Sequence, residues 1–285
     1  RKIKKKVFLC NMIVKFKLIS IQMLFFLFFC ILAENNFKSS INLKNSKLYD
    51  RSSYELSIKN KDENDYKQLK RNLKDSTGKC GTSLYYTILS NTLSINGVGQ
   101  MTNFQNKNSY QSTSPWNEER VNIILITIED GATSIGDYAF PSFEKLTTID
   151  IPESVTYIGT QSFNFCINLQ SIKIPEKTTY IGTWAFSDCD SLISITFPSS
   201  LTRIEDLILY HSNSLESVTI LGKITYLGHS VFTGCNLTSF TIPDTITTLR
   251  HWTFRSCSNL KSIEIPKNIT TIEYEVFSSC SKLES

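Results

Sequence analysis

The sequence has few of the residues from which catalytic and metal sites are built. It contains only three histidines, and none of its eight cysteines forms the C-x-x-C or Cys/His pairing that binds zinc. No serine, histidine and aspartate set shares a predicted pocket, and no pair of carboxylates recurs along the chain. The single Gly97-x-Gly99 lacks a third glycine and a following helix, which favours a turn over a phosphate-binding loop. The sequence therefore predicts that the protein is not an enzyme, and that it has no catalytic residue, metal ligand or cofactor.

Acidic residues are missing from the first 33 positions, which carry seven lysines and arginines. Without those seven charges the formal net charge changes from +4 for the whole chain to −3 for residues 34–285. No basic patch remains for nucleic acid, which is not an expected partner. The apolar run Leu18–Ala33 follows the basic residues and is short for a spanning helix. Residues 1–33 are interpreted as a signal peptide cleaved after Ala33, or as an uncleaved membrane anchor if the apolar run begins earlier, at Ile13.

The largest regular feature is a unit of 23 residues that begins at Ile123 and recurs to the end of the chain. Its pattern is L-x-x-I-x-I-P-x-x-[VIL]-x-x-I-G-x-x-A-F-x-x-C-x-x, in seven copies and the start of an eighth. The copy at Leu215 is one residue shorter than the others. Such a period predicts a solenoid, because a single coil buries too little apolar surface and stacked coils bury both faces. The copies begin at Ile123, Leu146, Leu169, Leu192, Leu215, Leu237, Leu260 and Leu283.

Each part of the unit predicts a different structure. L-x-x-I-x-I has the periodicity of a strand, which the following proline ends. I-G-x-x-A-F has a spacing of three to four, which suits a short helical turn. The predicted fold class is therefore α/β, with a parallel sheet on one side and helical turns on the other. Copies that lose a key residue are expected to be looser or bent, as where Leu221-Gly222 replaces proline. The final copy stops at Leu283–Ser285, so either the chain continues or the last coil frays.

The residues before the repeats divide into two segments. Residues 34–79 are rich in Asn, Lys, Ser and Asp and have no apolar period, which is typical of a flexible polar spacer. Residues 80–120 are predicted to form the N-terminal cap that the first coil needs, and residues 121–285 are assigned to the repeats. Within the cap, LYYTIL and TLSING alternate around Ser90-Asn91, which indicates a β-hairpin. The true start is left open among Arg1, Met12 and Met23.

The unit resembles the leucine-rich repeat of the BspA-like, Treponema-type surface proteins. The resemblance covers Ile123 to Ser285 and extends upstream to the Cys-Gly at Cys80 and to Pro115-Trp116. It implies a right-handed arc with the sheet on its concave side, displayed outside the cell, that binds other macromolecules. Some members of the family are associated with adhesion to host matrix proteins.

The expected function is a non-catalytic, secreted or cell-surface protein that binds protein or glycan ligands on other cells or on matrix. Two alternatives stay open. One is a structural surface-coat protein without a defined ligand, and the other is an intracellular scaffold for protein–protein interaction. A membrane would be contacted only through an uncleaved N-terminal segment, and the oligomeric state is not predicted.

The outward residues of the predicted strands form the candidate binding face. Most are hydroxyl side chains, and one column is serine in every copy from Ser171 to Ser262. Stacked hydroxyls also hydrogen-bond along a ladder, so this column has a structural explanation beside the binding one. The candidate residues are Thr148, Asp150, Ser171, Lys173, Ser194, Thr196, Ser217, Thr219, Ser239, Thr241, Ser262 and Glu264.

Five cysteines share one repeat position, where Phe143 and Ser212 stand in other copies. A position that accepts phenylalanine is a core position, which favours buried thiols. Inter-coil disulfides are the alternative, because coils about 4.8 Å apart bring the cysteines within bonding reach and the leader implies an oxidising route. The column is Cys166, Cys189, Cys235, Cys257 and Cys280.

Two further sets of polar residues stand out. His229 and His251 share a repeat position, with Asp206 at the same position one coil earlier. This indicates a variable exposed position, or a weak metal or proton site. Asn236 and Asn268 each begin an N-x-T acceptor sequence for N-glycosylation.

Overall fold

The computed structural model describes residues 76–89, 91–108 and 111–284. The chain divides into two compact units, and all described residues belong to the unit Glu63–Ser285. The predicted signal peptide or anchor and the polar spacer up to residue 75 lie outside the described residues. The last four residues assigned to the flexible spacer instead form a strand, Ser76–Lys79, because their backbone pairs with the strand Leu84–Leu89. Among the residues that are described, none forms a helix with the length and apolar character needed to cross a membrane.

Two strands in each early repeat build the solenoid. The first strand covers the I-x-I part of the unit, and the second strand covers the x-I of I-G. The first strands are β7 (Leu125–Ile128), β9 (Thr148–Asp150), β11 (Ser171–Lys173), β13 (Ser194–Phe197) and β15 (Ser217–Ile220). The second strands are β8 (Ala132–Ile135), β10 (Tyr157–Ile158), β12 (Tyr180–Ile181), β14 (Arg203–Ile204), β16 (Tyr226–Leu227), β17 (Thr248–Leu249) and β18 (Thr271–Ile272).

Neighbouring coils pair in parallel, with a register of one repeat. Ile172 lies opposite Ile149, and Tyr180 lies opposite Tyr157, each 23 positions away. The same register holds between β13 and β15 and between β14 and β16. The predicted parallel sheet is thus confirmed, and the molecule is a parallel β-solenoid in which equivalent residues stack in columns.

The strands before the repeats continue both sheets of the solenoid. β2 (Leu84–Leu89) and β3 (Thr92–Gly97) are antiparallel, with Leu89 opposite Thr92, and β3 pairs in parallel with β7 of the first repeat. β4 (Gly99–Gln100) pairs in the same way with β8. The first coil therefore has a hydrogen-bonded neighbour on its N-terminal side. These strands are β1 (Ser76–Lys79), β2 (Leu84–Leu89), β3 (Thr92–Gly97), β4 (Gly99–Gln100), β5 (Asn106–Asn108) and β6 (Gln111–Ser112).

The core consists of apolar columns that run through the coils. In most coils the repeat leucine, the inward isoleucines of the strands and the phenylalanine of I-G-x-x-A-F are buried, whereas Phe277 is partly buried and Ile272 is exposed in the last coil. Phe140, Phe163 and Phe186 follow one another with ring centroids 5.5 and 5.6 Å apart. Leu209 interrupts this phenylalanine column, which resumes at Phe232 and Phe254, 5.4 Å apart. Stacked rings of this kind bury large apolar areas at favourable ring spacings.

The helical turns predicted for I-G-x-x-A-F are not found in the described residues, where this segment is a run of turns. Two residues per coil have a positive φ, for example Gln161 at 51° and Phe165 at 58°. A left-handed residue at each of these points interrupts the i to i−4 hydrogen bonds of a helix. The freed N–H groups instead donate to the next coil, as from Phe163 to the carbonyl of Ala185 over 2.9 Å.

The sheet of first strands is interrupted near the shortened copy. β15 pairs with β13 on one side, whereas the next coil has no first strand and meets the equivalent segment of its successor through a bridge between Ser239 and Ser262. Phe240 stands here in place of the usual isoleucine and packs 4.8 Å from Phe232 and 5.4 Å from Phe254. Phe240 belongs to the copy after the shortened one, and its ring packs against Phe232 of the shortened copy.

Candidate functional site

The candidate binding face lies along the first strands, and we call its twelve residues the strand face. All twelve predicted side chains are exposed, from Thr148 to Glu264. Exposed and buried residues alternate along each strand, because the inward residues between the exposed ones, such as Ile149 and Ile195, are buried. The Ser171 hydroxyl donates to the Thr148 hydroxyl over 3.5 Å, which is a long and weak hydrogen bond. The hydroxyl groups of neighbouring coils therefore bond only weakly to one another, and their donors and acceptors remain accessible to solvent.

A depression of about 500 Å³ lies on this face at the interruption of the sheet. We call it the break cleft, and it is lined by Glu216, Ser217, Thr219, Gly222, Ser239 and Phe240 among others. It forms where β15 has no strand partner on its C-terminal side. Unpaired backbone groups at such an edge offer hydrogen bonds to an extended polypeptide. The break cleft thus combines hydroxyl side chains, a carboxylate and open backbone.

Charge is sparse on the strand face and partly paired. Lys173 Nζ donates to Glu153 Oε1 over 2.7 Å, in an exposed ion pair. This hydrogen bond, with a second from the backbone N–H of Glu176, holds the pKa of the Glu153 carboxyl below its ordinary value of 4.5. The same contact raises the pKa of Lys173, so the lysine stays charged. A surface pair of this kind adds little stability, which leaves Lys173 available to a ligand.

The cysteines of the column are free thiols, and all but the half-buried Cys280 are buried. Each thiol donates to the backbone carbonyl of a phenylalanine-column residue one coil earlier, as from Cys166 to Phe140 over 3.3 Å. Ser212 makes the same contact with Phe186 over 2.9 Å, which explains why serine can replace cysteine here. Burial raises the pKa of the Cys166 thiol to about 12 and raises that of Cys189 as well. Such thiols are poor nucleophiles, so this column is part of the core.

The histidines of the shared position contact different carboxylates. His229 Nε2 lies 3.4 Å from Asp206 Oδ2, in the coil before it, as the sequence predicts. His251 Nε2 instead lies 3.1 Å from Glu273 Oε2, in the coil after it. Within the part of the chain that the structure describes, no three His, Cys, Asp or Glu side chains are placed to hold one metal ion. These pairs are inter-coil contacts on the turn side.

The fold and its repeat register agree with the comparisons with known proteins. A family model described as the BspA type leucine rich repeat region (6 copies) matches residues 118–236 and 208–285. The chain belongs to this BspA-type leucine-rich repeat family. The family resemblance read from the repeat unit is confirmed.

Several solved structures of leucine-rich repeat proteins are similar to this BspA-type chain, and two of them illustrate the match. A leucine-rich repeat protein of T. pallidum is 25% identical, with a TM-score of 0.54, over 68% of this chain and 84% of that one. A leucine-rich repeat protein from Eubacterium ventriosum is 24% identical, with a TM-score of 0.49, over 70% of this chain and 62% of that one. The match spans less than two thirds of the second protein. No curated protein matches the chain significantly.

The two acceptor asparagines of the BspA-type repeats differ in exposure. Asn268 is exposed, and its side-chain nitrogen donates to the carbonyl of Asp244 over 2.8 Å. Asn236 is half-buried, and its oxygen accepts from the side chain of Asn259. A glycan is therefore accommodated more readily at Asn268, and glycosylation of either residue stays a prediction.

Two groups of aromatic residues were missed by the sequence analysis. On the second strands, Tyr157 stacks on Tyr180 at 5.0 Å, and Tyr226 lies between the guanidinium groups of Arg203 and Arg250 at 3.9 and 4.6 Å. On the turn side, tryptophans three coils apart flank a cavity. The two tryptophans share one repeat position in the sequence, but the repeat consensus has no fixed residue there, so the pattern alone does not indicate a site.

Proposed function

We propose that this protein is a non-catalytic binding protein, secreted or displayed at the cell surface, whose strand face holds macromolecules of neighbouring cells or matrix. Membership of the BspA-type family supports a role in protein binding. The observation that carries the proposal is the strand face itself, in which twelve exposed polar side chains run along the coils and four of them line the break cleft of about 500 Å³. Residues with so little fixed hydrogen bonding are suited to contact with a ligand.

The expected ligand is an extended polypeptide segment. The break cleft offers an unpaired strand edge, and the hydroxyl columns offer side-chain donors and acceptors at a repeat of about 4.8 Å per coil. The strand face is poor in arginine and in exposed aromatic residues, which usually supply most of the binding energy at an interface. We therefore expect weak contacts that gain strength from repetition along the array.

A solid-phase binding assay on a panel of immobilised extracellular matrix glycoproteins tests the proposal. The triple variant Lys173→Glu, Thr196→Arg and Thr219→Arg should reduce saturable binding at least tenfold, or about 1.4 kcal/mol. The matched control carries Lys223→Glu, Thr202→Arg and Thr247→Arg, the same changes at exposed residues away from the strand face. Equal binding by both triple variants and the parent would remove the strand face as the binding surface.

A structural coat protein is the second candidate, and the mostly uncharged hydroxyl columns favour it as a surface that acts by display. It predicts dense surface display and no saturable ligand. Antibody staining of intact cells, with serum raised against residues 121–285, tests the location that both candidates share. Staining lost after brief external proteolysis is expected, and staining seen only in permeabilised cells would point to the intracellular scaffold.

A further inference from the structure

A cavity on the turn side of the solenoid lies between two tryptophans. Trp184 and Trp252 occupy the same repeat position in coils three apart, and the two coils between them carry Leu207 and Ser230 there. The smaller side chains leave a cavity of about 300 Å³ between the rings. We call it the tryptophan cleft, defined by Trp184, Tyr210, His229, Ser230, Trp252 and Arg255.

Neighbouring side chains hold the aromatic walls in place. The Trp184 ring lies 5.3 Å from Tyr210, which in turn stacks on His211 at 3.9 Å. On the other wall, Trp252 Nε1 donates to Glu275 Oε2 over 3.1 Å, and its ring meets Tyr274 edge-on at 5.2 Å. Both tryptophans are half-buried, so each keeps part of its apolar surface open to the cleft.

The polar groups of the cleft are balanced in charge. His229 has Asp206 at 3.4 Å, and the Arg255 Nε has Glu275 at 3.8 Å. Since Arg255 and His229 each already lie beside an acidic partner, the cleft has no free charged group with which to select an anion or a cation. Hydroxyl groups complete the lining, and the Ser230 Oγ lies 3.3 Å from His229 Nδ1.

We propose that the tryptophan cleft binds a neutral saccharide. A sugar ring needs an apolar surface for its C–H face together with donors and acceptors for its hydroxyls, and tryptophan beside hydroxyl, imidazole and guanidinium groups supplies both. Three coil spacings of about 4.8 Å separate the tryptophan backbones by about 14 Å. A volume of about 300 Å³ is at the lower end for ligand pockets, which suits a disaccharide.

The site is separate from the strand face, so it does not rest on the proposed function. It lies on the turn side of the coil, and its residues are shared with neither the strand face nor the break cleft. The protein therefore carries two binding surfaces, one for an extended polypeptide and one for a sugar.

Saturation-transfer difference NMR and tryptophan fluorescence of the full chain test the proposal. The probes are lactose, maltose, cellobiose and diacetylchitobiose, and at least one should bind with a dissociation constant of about 1 mM. Trp116, the third tryptophan of the chain, is fully buried in the core and serves as a constant background to the fluorescence.

Two variants remove the cleft in different ways. Trp184→Ala deletes one wall, and Ser230→Trp fills the space; each should weaken sugar binding at least tenfold. Ser230 has a φ of 55°, close to the 61° of Trp184 and the 59° of Trp252, so this backbone already accepts tryptophan. Gln161→Trp is the matched control, because it places the same residue in the same column, at a φ of 51°, outside the cleft. It should bind sugar like the parent.

The outcomes separate the saccharide site from its rivals. No saturation transfer from any of the four sugars to the folded chain, or full binding by Ser230→Trp, overturns the proposal. A fluorescence response to an aromatic peptide without a response to sugars assigns the cleft to a protein partner instead, which also overturns it. Sugar binding that persists in the variant of Lys173, Thr196 and Thr219 shows that the cleft is independent of the strand face.

Discussion

The indole nitrogen of Trp116 donates a hydrogen bond of 2.6 Å to the backbone carbonyl of Ala139, and both residues are fully buried. Trp116 precedes the first repeat, whereas Ala139 belongs to the turn side of that repeat. The same indole ring stacks on Phe140, with 5.5 Å between the centroids, and extends the phenylalanine column beyond the first coil. One side chain therefore covers the end of the core and satisfies a buried carbonyl group.

Removal of this contact should destabilise the N-terminal end of the solenoid. Trp116→Ala is expected to lower the free energy of unfolding by about 3–5 kcal/mol, because it opens a cavity against Phe140. Trp116→Phe retains most of the ring but leaves the Ala139 carbonyl unpaired, at a cost of about 1–3 kcal/mol. Urea unfolding followed by far-ultraviolet circular dichroism measures both losses. The half-buried Trp184→Ala is the control, and an equal loss there would contradict a capping role for Trp116.

The buried cysteine column predicts a loss of stability in alkali. Burial raises the pKa of Cys166 from its ordinary value of 9.0 to about 12. A raised pKa means that the folded state keeps its proton after the unfolded state has released it. The contribution of the thiol is thus fully present below pH 9.0 and is lost as the pH rises towards about 12. Each such cysteine should lower the unfolding free energy by about 1.4 kcal/mol per pH unit in that range.

Replacement of one cysteine by serine tests this dependence. Cys189→Ser should reduce the slope of stability against pH by about 1.4 kcal/mol per unit, because serine does not ionise and Ser212 already fits the column. Urea midpoints measured from about pH 8 to pH 11 give the slope. The reverse variant, Ser212→Cys, should steepen it by a similar amount. Parallel curves for parent and both variants would show that the column thiols do not govern alkaline unfolding.

The same column predicts which thiols react in the folded protein. Cys280 is half-buried, whereas Cys166, Cys189, Cys235 and Cys257 are buried. Cys280 should therefore be alkylated by iodoacetamide well before the others, which should react only after unfolding. Mass spectrometry of the peptides, without reductant, gives the order of modification. A pair of cysteines that stays unmodified in denaturant and becomes reactive after reduction would establish the inter-coil disulfide instead.

The glycine after the second strand permits a close approach of neighbouring coils. A Cβ atom on Gly182 would lie 2.5 Å from the backbone nitrogen of Thr160, in the coil before it. Gly182→Ala should thus cost about 1–3 kcal/mol of stability, because backbone must shift. Glu205 occupies the same repeat position in the next coil, and Glu205→Ala is the control, with an expected change within about 0.5 kcal/mol. Thermal unfolding compares the two, and similar effects would show that the coils adjust freely.

The turn side shows where sequence reasoning failed. The spacing of I-G-x-x-A-F fits a helical turn, yet each coil has left-handed residues there, including Trp184 at 61° and Leu207 at 57°. Glycine would have revealed such positions, but only Gly234 among them is a glycine. Their cost is offset by backbone hydrogen bonds to the next coil, as from Trp184 to the carbonyl of Asp206. Those bonds exist only between stacked coils, so no single repeat shows them.

The sequence by itself determined the period, the columns and the face on which each repeat residue lies. A regular unit of 23 residues makes equivalent positions neighbours, so exposed Thr196 and buried Ile195 follow from strand alternation. The tertiary structure alone decided the turn backbone, the break cleft and the tryptophan cleft. Each of these features depends on the hydrogen bonds between neighbouring coils and on how the side chains of one coil pack against those of the next. The space beside Phe240, and the space that two smaller residues leave between Trp184 and Trp252, become cavities only when the distance between stacked coils is set.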